Sequence, residues 1–373
     1  MSNRILPAKA SFTQHVPGFG QPGKQYNIKL NLTPQDIQRL GVRAGEPLTF
    51  SLTPDDVHVE EELSTYLGGY HPTGFRADEA SKVVLVDHDK DLFRDFSSDD
   101  AFLRVDVKGS TEGAIPEVDP VSSTTQYDVV DRFLGSFVND ITEQNATKLF
   151  QPRQQAMKRV KWAVQLDREH DTWDLLQVAA SWAAANTVTL AAGFEWNGGA
   201  SSDPIFDLQA RIEASAQHVT DIWLNQQVGH DFLRNPLVRD HMRQMIGDNA
   251  PNNAVGSVAD AQARAVDFQI PGLPPIHIVA GKSRATTGAA LSFILGSHAV
   301  LTTSPPGVPT DGMEIATSYT FRRRGRAGTG FETREFRVEG RGPKGGTMIV
   351  ASMADVAVMT GNNVGGLIRD AHQ

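Results

Sequence analysis

Residues 194–245, FEWNGGASSDPIFDLQARIEASAQHVTDIWLNQQVGHDFLRNPLVRDHMRQM, contain the pattern that decides how this chain folds. Asp203 can accept the free amide protons of a first helical turn, and Pro204 follows at the first helical position, where its missing N–H costs nothing. Apolar residues then recur at three- and four-residue spacing, at Ile205, Leu208, Ile212 and Ala216. That spacing predicts a helix with one buried face.

A strand and two further helices are predicted after this helix. Residues 222–224, IWL, form an apolar run of strand length. A second helix is predicted to begin near Gln226, and the Asn235-Pro236 step breaks it before another short helix. The predicted order is therefore a buried helix, a buried strand and then helices, and no reactive group stands out among them.

The bulk composition limits the classes of function. A chain of 373 residues is long enough for about two or three domains, and 40% hydrophobic with 21% charged residues is typical of a globular protein. The net charge of −9 argues against a dedicated nucleic-acid binder, which would be basic. It permits a container for DNA, because an acidic inner wall does not grip its contents. The absence of cysteine excludes disulfides and thiolate metal sites.

Neither a signal peptide nor a membrane segment is predicted. The N-terminal stretch MSNRILPAKASF lacks the apolar core of a signal peptide. The most apolar stretch, residues 178–194, is short and carries Ser181, Asn186 and two threonines. We therefore expect a soluble product inside the cell.

The first 70 or so residues have the composition of an extended arm, with frequent Gly and Pro and few apolar residues to bury. Within it, residues 27–60 predict a small strand-helix-strand unit, with Thr33 as N-cap and Pro34 at the first helical position. We interpret this unit as a structural elaboration of the arm. The alternative is a small DNA-binding hairpin, for which the basic residues Lys29, Arg39 and Arg43 are few.

A long polar hairpin is predicted after two strands. Residues 83–86 predict a buried strand and residues 102–107 a half-exposed one. An acidic run between them lacks the glycine and terminal glutamate of a calcium loop, so we interpret it as a solvated face; it comprises Asp87, Asp89, Asp91, Asp95, Asp99 and Asp100. Residues 107–126 are too rich in Gly, Pro, Ser and Thr to form a core of their own, and residues 127–137 return as a strand.

The longest helix is predicted from Pro152 towards Ala180, about 43 Å in length. The pattern predicts two stripes on this helix. One contains Met157, Val160, Val164, the aliphatic part of Arg168, and Leu175; the other contains Trp162, Leu166 and Trp173.

The C-terminal third predicts a series of strands and one basic cluster. The strands are predicted at residues 276–280, 299–303, 314–321, 331–338, 347–351 and 356–359. The cluster comprises Arg322, Arg323, Arg324 and Arg326. It is suited to contact phosphate in a lumen that holds DNA, but a solvated loop tip or a contact with acidic loops of another subunit explains it equally well.

Histidine–carboxylate neighbours are the remaining chemical candidates. His170 lies beside Asp171, and the pairs His230-Asp231 and Asp240-His241 lie eleven residues apart. No second metal-ligand histidine or hydrolase motif accompanies them, so we interpret them as structural and predict no catalytic, cofactor or metal site. An enzyme that uses these residues is the rival hypothesis, and a DNA-binding regulator that uses residues 27–60 is a third.

Several of these segments together resemble the major capsid proteins of tailed bacteriophages, the Hong Kong 97-type shell fold. The matching residues are Ala77, Asp78, Val83, Val84, Phe93, Phe96 and Phe102, the step Leu166-Asp167-Arg168-Glu169, Trp196, Ser202-Asp203-Pro204, and Leu233-Arg234-Asn235-Pro236-Leu237-Val238. The resemblance implies an α+β fold in four parts: an N-terminal arm (1–76), a strand region with the extended loop (77–140), a peripheral domain with the spine helix (141–220 plus 335–373), and an axial domain (221–334).

The resemblance also implies a non-enzymatic function. Pentamers and hexamers would form a closed icosahedral shell around double-stranded DNA in the virion, after synthesis in the host cytoplasm, with scaffold, portal and decoration proteins as partners. An encapsulin-like nanocompartment is the alternative. The predicted intersubunit contacts are Lys108, Glu112, Glu117, Arg153, Arg322, Arg323 and Arg324. Some family members cross-link a loop lysine to an asparagine; Lys108 with Asn362 or Asn363 would be the pair here, and we expect no cross-link.

Overall fold

A computed structural model describes residues 74–97, 123–146, 151–197, 201–246, 267–307, 314–324, 331–339 and 345–372. In these ranges the helices are α1 (Ala77–Ala80), α2 (Asp140–Gln144), α3 (Pro152–Gln177), α4 (Pro204–Ala214), α5 (Gln226–Arg234) and α6 (Pro236–Ile246). The strands are β1 (Lys82–Val86), β2 (Lys90–Asp95), β3 (Ser123–Asp128), β4 (Val130–Asn139), β5 (Thr187–Thr189), β6 (Asp221–Asn225), β7 (Ile276–Val279), β8 (Lys282–Ser283), β9 (Ser292–Phe293), β10 (Ala299–Thr302), β11 (Ser318–Arg323), β12 (Phe331–Val338), β13 (Gly346–Met359) and β14 (Gly366–Arg369).

Four predictions from the sequence lie outside the described residues. They are the arm with its unit at 27–60, the strand at 102–107, most of the polar hairpin at 107–126, and Arg326 of the basic cluster.

Sheet 1 is built around β13. Residues 346–353 pair antiparallel with β12 on one edge and β4 on the other, residues 355–359 pair with β11, and β1 joins β11 in parallel. The runs 347–351 and 356–359, predicted as two strands, are therefore two ends of one strand. The strand predicted at 314–321 begins and ends later, at Ser318–Arg323.

Sheet 2 has the strand order β5-β14-β10-β6-β7. Its centre is apolar: all four residues of β10 are buried, and β6 follows the pattern predicted for residues 222–224. Helices α4, α5 and α6 contribute side chains to a core cluster with this sheet, among them Leu208, Phe232 and Val238. The predicted helix at Pro204 and the break at Asn235-Pro236 are both confirmed.

Asparagine and aspartate caps explain where these helices begin. Asp203 Oδ1 accepts a hydrogen bond of 3.1 Å from the amide of Phe206, as predicted for the start of α4. Asn225 caps α5 in the same way, because its Oδ1 accepts a 2.7 Å hydrogen bond from the amide of Val228. The strand β6 therefore ends in the residue that starts the next helix.

The 26 residues of α3 span about 39 Å and contribute to the cores of both sheets. Its first half lies in one cluster with sheet 1 through Met157, Val160 and Val164. Its second half lies in another cluster with sheet 2 through Trp173 and Leu176. Among the described helices, none combines the length and apolar composition needed to cross a bilayer.

The two stripes predicted on α3 are partly wrong. Trp173 is fully buried, whereas Trp162, predicted on the same stripe, is 40% exposed. Leu176 is fully buried and Leu175 is half-buried. The reason is geometric: the buried face turns by about 90° between the two halves, because the helix packs first on one sheet and then on the other.

The predicted domain bounds stay a prediction. The bound between residues 334 and 335 falls inside β12, and sheet 2 takes strands from both parts, since β5 and β14 pair directly. A division by sheet, with α3 shared, describes the contacts more simply.

Candidate assembly surfaces

An ion cluster that is buried except at Asp78 lies where α3 crosses sheet 1, and we name it the arginine junction (Asp78, Arg132, Arg168, Arg322 and Asp355). Asp355 is 1% exposed. Its Oδ2 lies 2.8 Å from Arg168 Nε and 3.4 Å from Arg322 Nη2, and its Oδ1 pairs with Arg132 Nη1. A buried carboxylate is tolerated when such partners surround it.

Asp78 is the second carboxylate of the arginine junction. It pairs with Arg168, and its Oδ1 lies 2.9 Å from Arg322 Nη2. Burial alone would raise the pKa of Asp78, but the two guanidinium groups outweigh it and hold that pKa below its usual value. The junction therefore joins α1, β4, α3, β11 and β13 through charge.

The short segment at the start of the described chain is fastened to α3 by a buried glutamate. Glu169 is 3% exposed; its Oε1 accepts a 2.7 Å hydrogen bond from the amide of Ala77, and its Oε2 accepts one of 2.8 Å from Trp173 Nε1. Burial raises the pKa of Glu169, although these donors oppose the shift. We name residues 74–81 the root segment, because residues 1–73 lead into it.

The predicted extended loop is flanked in the chain by two paired strands. β2 and β3 pair antiparallel in register from Lys90↔Asp128 to Asp95↔Ser123. Asp95 and Ser123, which flank residues 96–122 in the chain, therefore lie side by side. Lys108, Glu112 and Glu117, predicted as intersubunit contacts, lie outside the described residues.

Sheet 1 has an apolar outer face on the side away from α3. Phe133 of β4 is 71% exposed and Phe336 of β12 is 44% exposed. Between them, Met348 and Val350 of β13 are half-buried, and Met348 lies beside Phe336 in register. A side chain at Gly135 would lie 3.2 Å from Met348 Sδ, so glycine leaves room for these neighbours. The described residues leave this face uncovered, which is typical of a surface that meets another molecule.

A second apolar area lies at the starts of α4 and α6. Phe206 is 66% exposed and Leu237 is 45% exposed, near the first turns of the two helices. Asn235 Nδ2 donates a 3.0 Å hydrogen bond to Ser202 Oγ, which holds the two helix starts together. Exposed apolar residues thus accompany both sheets.

The three described arginines of the basic cluster, Arg322, Arg323 and Arg324, pair with carboxylates of the same chain. Arg322 and Arg323 lie in β11, and Arg322 belongs to the arginine junction. Arg323 lies 2.8 Å from Asp89 Oδ1 and 2.7 Å from Asp131 Oδ1, and Arg324 Nε lies 3.7 Å from Asp87 Oδ1. Of the predicted solvated acidic face, Asp87, Asp89 and Asp91 are exposed and Asp95 is half-buried, whereas Asp99 and Asp100 lie outside the described residues. The role of these arginines between subunits stays a prediction.

Arg153, also predicted as an intersubunit contact, lies in the first turn of α3. Its Nε lies 2.7 Å from Glu143 Oε1 and its Nη1 lies 3.0 Å from Glu335 Oε1. The side chain remains 40% exposed, so it is also accessible to a neighbour.

The histidine–carboxylate neighbours are dispersed. His170 Nε2 contacts Ser283 Oγ at 2.7 Å, whereas its neighbour Asp171 pairs with Arg132. Asp231 pairs with His372, and Asp240 lies 3.2 Å from Arg243 Nη1. In the described part of the chain, no group of three or more His, Cys, Asp or Glu side chains is arranged to hold a metal ion.

Sequence reasoning missed the ion pairs that hold these surfaces in place. Asp78 and Arg322 are 244 residues apart, and Arg132 and Asp355 are 223 apart. No local spacing signals such pairs. Arg168 carried the one available hint, since a charged residue on the apolar stripe of α3 requires a partner.

Comparison with known proteins finds similarity in structure rather than in sequence. No family model and no curated protein matches the sequence. A phage-related protein from Bordetella bronchiseptica RB50 matches with a TM-score of 0.62 at 17% identity, over 84% of this chain and 98% of that one. The capsid of cyanophage P-SCSP1u matches with 0.49 at 12% identity, over 91% and 99%. The holo-SrpI encapsulin of Synechococcus elongatus PCC 7942 matches with 0.45 at 10% identity, over 85% and 98%.

Proposed function

We propose that this chain, which has the Hong Kong 97-type phage capsid fold, is the major capsid protein of a tailed bacteriophage. The α+β class and this fold, both predicted from the sequence, are confirmed. In the proposed function, pentamers and hexamers close into an icosahedral shell that holds double-stranded DNA without sequence preference. The protein would be made in the host cytoplasm and reside in the virion, with scaffold, portal and decoration proteins as partners.

The observation that supports this proposal is the amount of apolar surface outside the cores of the two sheets. Phe133, Phe206 and Leu92 are each more than 60% exposed, and they lie on β4, α4 and β2. Covering one such side chain contributes roughly 1.5–3 kcal/mol. Several apolar areas on different parts of one protomer favour contacts with several neighbours, as in a ring or shell, over a single partner.

The predicted intersubunit contacts fall into three groups: charged residues of the extended loop, exposed arginines, and arginines that are paired within the protomer. The loop was predicted over residues 107–126, but residues 123–126 belong to β3 and pair with β2 of the same chain. We infer that residues 107–122 cross a neighbour, with Lys108, Glu112 and Glu117 as charged contacts. Arg153 and Arg324 are suited to join them, since they are 40% and 55% exposed. Arg322 and Arg323 would act indirectly, because their pairs with Asp355 and Asp131 fix the end of β11, which Arg324 directly follows.

Size-exclusion chromatography followed by negative-stain microscopy tests the shell. We expect rings or closed particles; a uniform small oligomer or monomer under all assembly conditions would contradict the proposal. The ratio of absorbance of nucleic acid to that of protein in particles from phage-producing cells separates a DNA shell from an encapsulin-like compartment, which would lack genome-length DNA.

A pair of variants tests the outer face of sheet 1. Phe133→Ser removes the most exposed large apolar side chain and should reduce the yield of particles at least about tenfold, since a lost contact recurs in every copy. Glu213→Ser, at an exposed polar position on α4, is the control and should assemble normally. Equal particle yields from both variants would show that this face is not used.

A further inference from the structure

His277 of β7 lies between two carboxylates. Its Nε2 is 3.0 Å from Asp221 Oδ1, and its Nδ1 is 3.0 Å from Asp267 Oδ2. The Nδ1 contact is out of line for a hydrogen bond, so we treat it as an ion pair. The ring stacks on Trp223 with centroids 4.5 Å apart. An imidazole that faces a carboxylate at both nitrogen atoms is best satisfied as the doubly protonated cation.

Asp267 connects His277 to the root segment, because it also pairs with Arg76. Arg76 Nη1 lies 2.8 Å from Asp267 Oδ2, and Asp267 Oδ1 accepts a 3.2 Å hydrogen bond from the amide of Ile278. Asp267 is thus shared between the arginine that precedes α1 and the histidine of sheet 2. Arg76 also pairs with Glu79 at 2.9 Å, within the root segment itself.

The backbone of the root segment also lies close to the backbone that follows β7. A side chain at Gly281, just after β7, would lie 3.2 Å from the carbonyl oxygen of Gly74. Gly74 has a φ of +96°, a conformation that favours glycine. The root segment is therefore packed backbone to backbone against the end of β7, beside the charged contacts.

We propose that the series Asp221–His277–Asp267–Arg76 is a pH-sensitive fastening of the root segment to sheet 2, closed while His277 carries both ring protons and loosened when it loses one. The fastening lies within one protomer and does not depend on shell assembly. It gives the protein a way to couple pH to the packing of the root segment on sheet 2.

The charges around His277 set the direction of the effect. The charged groups that face the series are Asp221, Asp267, Arg76, Glu79 and Lys82. Burial alone would lower the pKa of His277, but Asp221 and Asp267 outweigh it and raise that pKa. The same contacts lower the pKa of both aspartates, against the effect of burial.

The sign of the pH dependence follows from these shifts. A base whose pKa is raised by folding stabilises the folded state at pH values below its pKa in the unfolded chain. This stabilisation is lost as the pH rises through its pKa in the folded protein. The aspartates lose theirs only on acidification below their ordinary range. The fastening is therefore expected to be closed in mildly acid solution and to loosen in mildly alkaline solution.

Hydrogen–deuterium exchange of the full chain, with mass spectrometry, tests the proposal at about pH 6 and about pH 9. After correction for intrinsic exchange, peptides that cover residues 74–81 and 267–279 should open about three- to tenfold more at the higher pH. His277→Gln, which cannot titrate, should show no such difference. Asp267→Asn should reduce the response at residues 74–81.

The control is His241→Gln, because His241 of α6 contacts the carbonyl of Pro271 at 3.4 Å rather than a carboxylate. This variant should retain the full response. An identical response in wild type and His277→Gln would overturn the proposal, and so would a wild type without any response in these peptides. Should His277→Gln not fold, the wild-type profile and Asp267→Asn decide by the same criteria.

Discussion

Replacing Asp355 with asparagine removes the charge on which the arginine junction converges. The two side chains have nearly the same shape, so the change affects charge rather than packing. Three guanidinium groups lie around this carboxylate, and their side chains are 6–12% exposed. Asparagine would also turn a donor group towards one of these cations.

The expected loss is about 3 kcal/mol of unfolding free energy. Removing one partner of a buried ion pair typically costs about 3–5 kcal/mol, because the other charge is left buried without compensation. The lower end applies here. Arg168 and Arg322 keep Asp78, and Arg132 keeps Asp167 and Asp171, which are all about half exposed or more and screened by water.

Urea titration followed by tryptophan fluorescence and far-UV circular dichroism is the assay. Trp173, Trp196 and Trp223 are buried in the core clusters of sheet 2, and circular dichroism also reports on sheet 1. A loss of about 3 kcal/mol lowers the midpoint by roughly 1 M for a chain of this length. Asp171→Asn is the matched control: its carboxylate also pairs with Arg132 but is 55% exposed, so its loss should be below about 1 kcal/mol. If both variants shift the midpoint equally, the argument from burial is refuted.

Two further expectations rest on single residues. Gly365 has a φ of +100°, and a side chain there would lie 2.3 Å from the carbonyl oxygen of Leu301. Gly365→Ala should therefore lower the unfolding free energy by at least about 3 kcal/mol in the same titration. Gly193 has a φ of +90° but open space around it, so Gly193→Ala should lower the unfolding free energy by about 1 kcal/mol. Burial lowers the pKa of Lys161 to about 8. The unfolded chain then binds more protons than the folded one above that pH, so stability should rise by on the order of 1 kcal/mol from about pH 8 to about pH 10, and Lys161→Met should abolish the rise. A Gly365→Ala variant as stable as Gly193→Ala, or a rise that persists in Lys161→Met, would contradict these expectations.

Local signals were sufficient to predict much of sheet 2 and its helices. The Asp203 cap, the apolar run at residues 222–224 and the Asn235-Pro236 break each act over a few residues, and the structure follows all three. Such features are encoded by neighbouring side chains, so sequence spacing is enough to detect them.

For helix α3, sequence spacing was not enough to predict which residues are buried. A single helical stripe assumes one packing partner, but α3 packs on two sheets in turn. The buried face therefore rotates, and Trp162 and Trp173 receive opposite environments from similar positions in the pattern. The tertiary arrangement, which spacing does not contain, decides which of them is buried.

The contacts of the root segment were also not predictable from sequence spacing, and they explain why this segment is held in place. A helix of four residues such as α1 is not stable alone, because the entropy lost in forming a first turn exceeds the stabilisation from its single hydrogen bond. Its conformation must come from outside: Ala77 binds Glu169 of α3, Asp78 pairs across to β11, and Arg76 reaches Asp267 beside sheet 2. These three contacts end on the spine helix and on both sheets. A change in the angle between the two sheets would therefore strain the root segment. The contacts of Asp78 and Asp267, whose side chains are 46% and 35% exposed, are expected to break before the contact of Glu169, which is 3% exposed.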